Sequence, residues 1–241
     1  MKNRKLIVLG IIILVFSSCK KEIEPPKVIY QDTKNTVIQP AKADSSNIEI
    51  ADLPIQFNGT KFLIHPIGNY RIFGGKSKYS YGSSNSESGS FRISNYNEYE
   101  ITGYLSNLKF QEIGTDSIKA LTDKAILIQT ATYLKAVAEK TKQQIIVYTL
   151  SDMDTNRDSK LDTNDIKTLY LSTISGDKFT KISTDFEELI DWELIEASNI
   201  LYFRTIEDTN KNGQFDKNDV INYNFVNLNI KNWKVENYKP V

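Results

Sequence analysis

An all-β domain is the fold class this sequence predicts, and three observations predict it. Segments such as QQIIVYTL, SNILYFRTI and VINYNFVNLNI are rich in Val, Ile, Tyr, Phe and Thr and alternate in polarity, the period-two pattern of a strand with one buried face. Turn signals punctuate these segments at hairpin spacing, as at Asn58-Gly59 between PIQF and TKFLIHPIG, a dipeptide suited to a two-residue hairpin loop. One order of segments also occurs twice, around two Asp/Asn-rich stretches 54 residues apart, which marks an internal repeat.

The N-terminus is a targeting segment. Lys2, Arg4 and Lys5 precede an apolar run over 6–16, which at eleven residues is too short to span a bilayer. Ser17, Ser18 and Cys19 follow, and Cys19 is the only cysteine. This arrangement resembles a bacterial lipoprotein signal, although Phe16 and Ser18 stand where such signals usually carry Leu and a smaller residue. The resemblance implies a signal peptide over 1–18, lipid attachment at Cys19, and a cell-envelope, outer-membrane location, periplasmic or surface-exposed. A lone thiol in an exported chain has no disulfide partner, so the fold rests on its core, on metal, or on both.

Residues 19–47 read as a tether. They carry Pro25, Pro26 and Pro40, several charges and scattered apolar residues, a composition that does not build a core. Residues 48–241 form the β-rich domain and are long enough to bury one. Its first part predicts two strands across Asn58-Gly59, completed over 104–121. The Gly/Ser-rich stretch 74–90 is a loop. A strand over 125–132 is followed by a helical turn or loop in ATYLKAVAEKTK. Further strands are expected at 144–150, 167–173, 199–206 and 220–228, with a one-residue slip near Val226.

The two repeated stretches carry the chemistry. They are DTNRDSKLDTND at 154–165 and DTNKNGQFDKND at 208–219. Oxygen-bearing side chains fall at positions 1, 3, 5, 9 and 12 of each and position 7 offers its backbone carbonyl, the spacing that wraps six or more oxygens around one hard cation. In the first loop the donors are Asp154, Asn156, Asp158 and Asp165, with the Lys160 carbonyl and with Asp162 directly or through water. In the second they are Asp208, Asn210, Asn212 and Asp219, with the Gln214 carbonyl and Asp216. Leu161 and Phe215 occupy the apolar eighth position. Gly213 meets the need for a left-handed sixth residue, and Ser159 takes that place at some steric cost. Both loops resemble those of EF-hand and dockerin proteins, which implies two Ca²⁺ sites. Both end in Asp rather than the longer Glu, so the expected affinity is weak to moderate, nearer the roughly 10⁻⁴–10⁻³ M range of extracellular modules than that of cytosolic buffers.

The flanks of these loops read as strands, whereas EF-hand and dockerin loops are flanked by helices on one or both sides. The stretch LYLSTISGDKFTKISTDFEELIDWELIEASNILYFRT is similar to blades of TolB-like propellers, with Ser175-Gly176-Asp177, Ile182-Ser183 and Asp191-Trp192 as counterparts of the blade motifs. That resemblance implies about three propeller-like, four-stranded antiparallel blades. They would form an open or partial propeller, a compact β-sandwich, or an arc closed by association.

Little else in the chain points to chemistry. The chain has 30 basic and 30 acidic residues; removal of 1–18 takes three basic ones, and 27 against 30 leaves −3. With no basic stripe, nucleic acid is not an expected partner. His65 is the only histidine, so a His-rich zinc site is excluded, and no Gly-x-Ser-x-Gly elbow occurs. The acids Glu187, Glu188, Asp191, Glu193 and Glu196 allow a carbohydrate hydrolase with a carboxylate pair as the alternative activity; a solvated strand face explains them as well. The leading expectation is a non-enzymatic, membrane-anchored surface module that binds a protein or glycan partner, with calcium as a structural clamp.

Overall fold

Strand forms wherever the period-two pattern predicted it around the two loops. The structure, a computed structural model, describes residues 25–30, 47–71 and 93–241. The signal segment 1–18, Cys19 and the Gly/Ser-rich stretch 74–90 lie outside the described residues. In chain order the elements are β1 (Asn47–Ala51), β2 (Phe62–Arg71), β3 (Ser94–Tyr96), β4 (Glu100–Glu112), β5 (Ile118–Ala120) and β6 (Leu127–Tyr133). Then come helix α1 (Lys135–Thr141), β7 (Ile145–Ser151), β8 (Thr168–Thr173), β9 (Thr180–Lys181), β10 (Glu187–Ile195), β11 (Ile200–Glu207), β12 (Val220–Asn227) and β13 (Val235–Asn237). Among the described residues no helix is long and apolar enough to cross a membrane.

Two antiparallel sheets result. Strands β1 to β9 form one sheet, ordered β1-β2-β4-β6-β7-β8-β9, with β3 and β5 also pairing with β4; β10 to β13 form the second in sequential order. The internal repeat is visible in this pairing. β6-β7-β8-β9 and β10-β11-β12-β13 are both four-stranded meanders whose second and third strands flank an Asp/Asn-rich loop. The first strand of each is bulged, at Gln129 between Ile128 and Thr130 and at Ile190 between Leu189 and Asp191. The first copy inserts α1 between its first two strands, and Lys142, left-handed at φ 63°, closes that helix by donating its N–H to the Ala138 carbonyl.

About three separate blades are not what the hydrogen bonding shows. The stretch likened to one blade is divided: β8 and β9 finish the large sheet, while β10 and β11 start the small one. The first part of the domain is no third meander, because β4 pairs with β2, β3, β5 and β6. The physical reason lies in β7, whose seven residues IIVYTLS are all buried. Ile146, Tyr148 and Leu150 join one apolar cluster with Ile64, Ile101, Leu105 and Phe110. Ile145 and Val147 join a second with Leu169, Leu201, Phe203 and Val226. A strand apolar on both faces needs a layer on each side. The small sheet supplies one of those layers, so the two sheets share a core.

The slip expected near Val226 is absent. β12 pairs without interruption with β11 from Glu207↔Val220 to Ile200↔Asn227. The change of apolar phase reflects two populated faces: Val226 points into the core, while Tyr223 and Phe225 lie on the outer face with Tyr202 and Tyr238.

Candidate metal centres

Each Asp/Asn loop sits at the tip of a hairpin. β7 and β8 stay paired up to Leu150↔Thr168, and β11 and β12 up to Glu207↔Val220. Strands thus enter and leave both loops, at the positions the sequence indicated. A dockerin-like assembly module, in which a helix follows each loop, does not fit strands at these positions.

Within the loops, one set of hydrogen bonds recurs position by position. The first-position carboxylate accepts the N–H of position 6: Ser159 to Asp154 at 2.9 Å and Gly213 to Asp208 at 2.7 Å. The third-position amide oxygen accepts the N–H of position 5, at 3.0 Å for Asn156 and 2.9 Å for Asn210. Asp158 and Asn212 at position 5 accept the N–H groups of Lys160 and Gln214. Asp162 and Asp216 at position 9 accept those of Asn164 and Asn218. The terminal carboxylates bridge the loop: Asp165 accepts from Thr155 and Asp162, and Asp219 from Thr209 and Asp216. The sixth residues are left-handed as expected, Ser159 at φ 67° and Gly213 at φ 82°. So are the fourth, Arg157 at 59° and Lys211 at 55°, a feature the loop motif does not announce.

These bonds fix every candidate donor side chain without exhausting it. A carboxylate oxygen or an amide oxygen has two lone pairs, and a single N–H uses one. Asp154 goes further, because its Oδ1 is buried with no hydrogen-bond partner. A buried, unmatched carboxylate oxygen is costly, and a cation beside it removes the cost. Asp165 is 1 % exposed. Burial pushes its carboxyl above the usual carboxylate range, the N–H groups of Asp162, Thr155 and Asn156 oppose that, and the charge of Asp154 adds to it. Among the described residues no three His, Cys, Asp or Glu side chains converge on one point. A hard-cation centre here draws instead on a mixed set, with Asn oxygens and the Lys160 and Gln214 carbonyls beside the carboxylates, which is the donor chemistry calcium prefers. Leu161 and Phe215 at the eighth positions are half-buried.

The segment ahead of the domain takes part as well. Residues 25–30, PPKVIY, read as tether in the sequence, yet they lie across both loops. The N–H groups of Lys27 and Val28 point to the Gly213 carbonyl at 2.7 and 3.3 Å, and that of Ile29 to the Thr155 carbonyl at 2.9 Å. The Thr155 hydroxyl donates to the Lys27 carbonyl at 2.8 Å. Lys27 Nζ pairs with Glu188 at 2.8 Å, whose other oxygen holds the N–H of Lys167 directly after the first loop. Val28 is 2 % exposed. Tyr30 bonds to Asp208; burial first, then that carboxylate, raises the phenol well above its ordinary range. The one sequence signal was the apolar triplet VIY after the two prolines.

The remaining candidates are structural. His65 Nε2 lies 3.1 Å from Gln111 Oε1 on the neighbouring strand. Three of the acids on β10 have separate partners. Glu187 is buried and takes the Thr205 hydroxyl, Glu188 binds Lys27, and Asp191 is gripped by Arg204 through both of its oxygens. Arg204 holds the Asp191 carboxyl below the usual range despite partial burial. Glu193 and Glu196 are exposed. On the outer face of the small sheet, Tyr238 packs edge to face on Tyr202, Tyr223 and Phe225, and Tyr202 lies tilted against Phe225, with centroids 5.2–6.2 Å apart. Comparison with known proteins finds no matching family model, no matching curated protein and no matching solved structure.

Proposed function

We propose that this chain is a membrane-anchored lipoprotein, acylated at Cys19, whose β-rich domain is stabilised by two Ca²⁺ ions and presents a binding surface to a protein or glycan. The recurrence of one hydrogen-bond pattern in two loops that share few residues beyond the donors carries the calcium part. A pair of unrelated Asx-turns has no reason to repeat six pairings at identical offsets. Asp154, Asn156, Asp158, Lys160, Asp162 and Asp165 would hold one ion; Asp208, Asn210, Asn212, Gln214, Asp216 and Asp219 would hold the other. Calcium supplies charge neutralisation at loops that carry four and three carboxylates. The two four-stranded meanders are taken as propeller-like units. The outer aromatic face of the small sheet supports the partner-binding part, since Tyr and Trp rings anchor protein and sugar partners. The hydrolase alternative has less support: a general acid needs a raised pKa, and Asp191 is held ionised by Arg204.

The test is calorimetry and melting of the chain from residue 19 onward. Two calcium sites are expected. At 100 times the dissociation constant each contributes about 2.7 kcal/mol. For a domain of this size, two sites should raise Tm by about 10–20 °C. Asp154→Ala and Asp208→Ala should each remove part of that rise. A chelator that leaves Tm unchanged, with no calcium heat at millimolar concentration, overturns the proposal.

A further inference from the structure

We infer that residues 25–30 form a calcium-dependent strap: loading of the two loops fastens the tether across them, and unloading frees it. The inference rests on the calcium proposal above and adds to it a mechanical consequence. The strap does not rest on a distant surface. Its hydrogen bonds go to position 2 of the first loop and to positions 1 and 6 of the second, through Thr155, Asp208 and Gly213. Those same positions are set by the donor carboxylates. Asp165 fixes the Thr155 N–H at 2.7 Å, and Asp208 fixes the Gly213 N–H at 2.7 Å. A cation that draws in Asp165 and Asp208 therefore orders the two carbonyls on which the strap hangs.

The seat is shaped for a closely approaching chain. A Cβ on Gly213 would lie 2.3 Å from the Val28 carbonyl oxygen and 2.8 Å from Pro26 Cβ. The strap also joins the loops to each other, since Lys27 and Val28 reach the second while Ile29 reaches the first. Thermodynamic reciprocity follows: whatever tightens the strap tightens calcium. With the lipid on Cys19, the strap changes reach. Six steps of chain lead from Cys19 to Pro25, an extended span of at most about 22 Å, whereas the 28 steps to Asn47 span up to about 100 Å. Calcium would hold the domain close to its membrane, and its loss would let the domain extend.

Hydrogen exchange followed by mass spectrometry on the full mature chain in detergent tests this, with calorimetry on the same sample. The amides of Lys27, Val28 and Ile29 should exchange at least about tenfold more slowly in millimolar calcium than in chelator, the response of a local opening that calcium suppresses. Val28→Ser should weaken calcium binding by about fivefold, the lower end of ordinary coupling between sites, while the exchange of the β4 and β7 cores stays as it was. Calcium heat with unchanged or faster exchange at 27–29 overturns the strap and leaves the calcium proposal standing. Unaltered calcium affinity in Val28→Ser does the same. Absence of calcium heat overturns both.

Discussion

Two glycines with the same backbone angle but different surroundings separate strain from contact. Gly213 has φ +82° and Gly59 has φ +83°. Alanine at either position meets the left-handed penalty, about 1–2 kcal/mol. At Gly59 the new Cβ has nothing within 4 Å, so Gly59→Ala measures that penalty alone. At Gly213 the methyl group lies 2.3 Å from a backbone oxygen of the strap, far inside contact distance, and the strap must shift or leave. Val28 is 2 % exposed, so its release forfeits about 1.5–3 kcal/mol of apolar burial. Regained freedom of the released residues returns part of this. Gly213→Ala should therefore exceed Gly59→Ala by about 1 kcal/mol or more, some 2–4 °C in Tm. Urea unfolding in saturating calcium, the condition in which the strap is fastened, makes the comparison. A lower m-value for Gly213→Ala is also expected, because a native state with a freed strap exposes less new surface on unfolding. Equal losses in the two variants would show that the strap contributes nothing to stability and refute the argument.

Phe203 sits 2 % exposed in the cluster that joins the two sheets; Phe203→Ala should cost about 3–5 kcal/mol, and near-ultraviolet circular dichroism should lose both sheets in one transition. Asp52 is pushed up by burial but pulled further down by the Ser94 hydroxyl and the N–H groups of Leu53, Ser94 and Ile93, for a net lowering. A lowered carboxyl stabilises fully above its unfolded value near pH ~3.9 and loses that contribution as pH falls through the folded value. The gap in urea midpoint between wild type and Asp52→Ala should accordingly be constant from pH 7 to 5 and close below pH 4. Cys19→Ser should move the protein from the membrane to the soluble fraction; a variant that still partitions into detergent contradicts the lipid anchor.

Hairpins and loops were legible in the sequence because their signals are local. QQIIVYTL and SNILYFRTI announce strands by side-chain period, and Asp/Asn spacing announces the loops by donor chemistry. The allocation of strands to sheets was not legible. It depends on β7 being apolar on both faces, and the continuous run IIVYTL does not say which neighbours cover those faces. The TolB-like likeness set a blade frame beginning at Leu169, while the hydrogen bonding sets the repeat at β6 and at β10, one strand pair out of phase. Residues 25–30 were assigned to the tether because proline and charge dominate the stretch around them. Three apolar residues in such a stretch are a weak signal until a buried seat such as that beside Gly213 is seen.

The hairpin setting of the loops decides what an ion there is able to do. A loop between two helices changes the angle between them when it fills, because little else fixes that angle. Here Leu150↔Thr168 and Glu207↔Val220 close the ladders right up to the loops. The strands behind them are anchored by Leu169, Leu201, Phe203 and Val226. Register and twist are therefore set by the core, and an ion at the tip is expected to shift stability far more than shape. Among the described residues, the segment outside the hairpins that hydrogen-bonds to both loops is the strap. It has one buried apolar side chain of its own and no ladder, so its docking is poised near balance in a way the strands are not. Any visible conformational response to calcium should be concentrated in residues 25–30, and a structural change in β7, β8, β11 or β12 on chelation would show that the core does not set the hairpins.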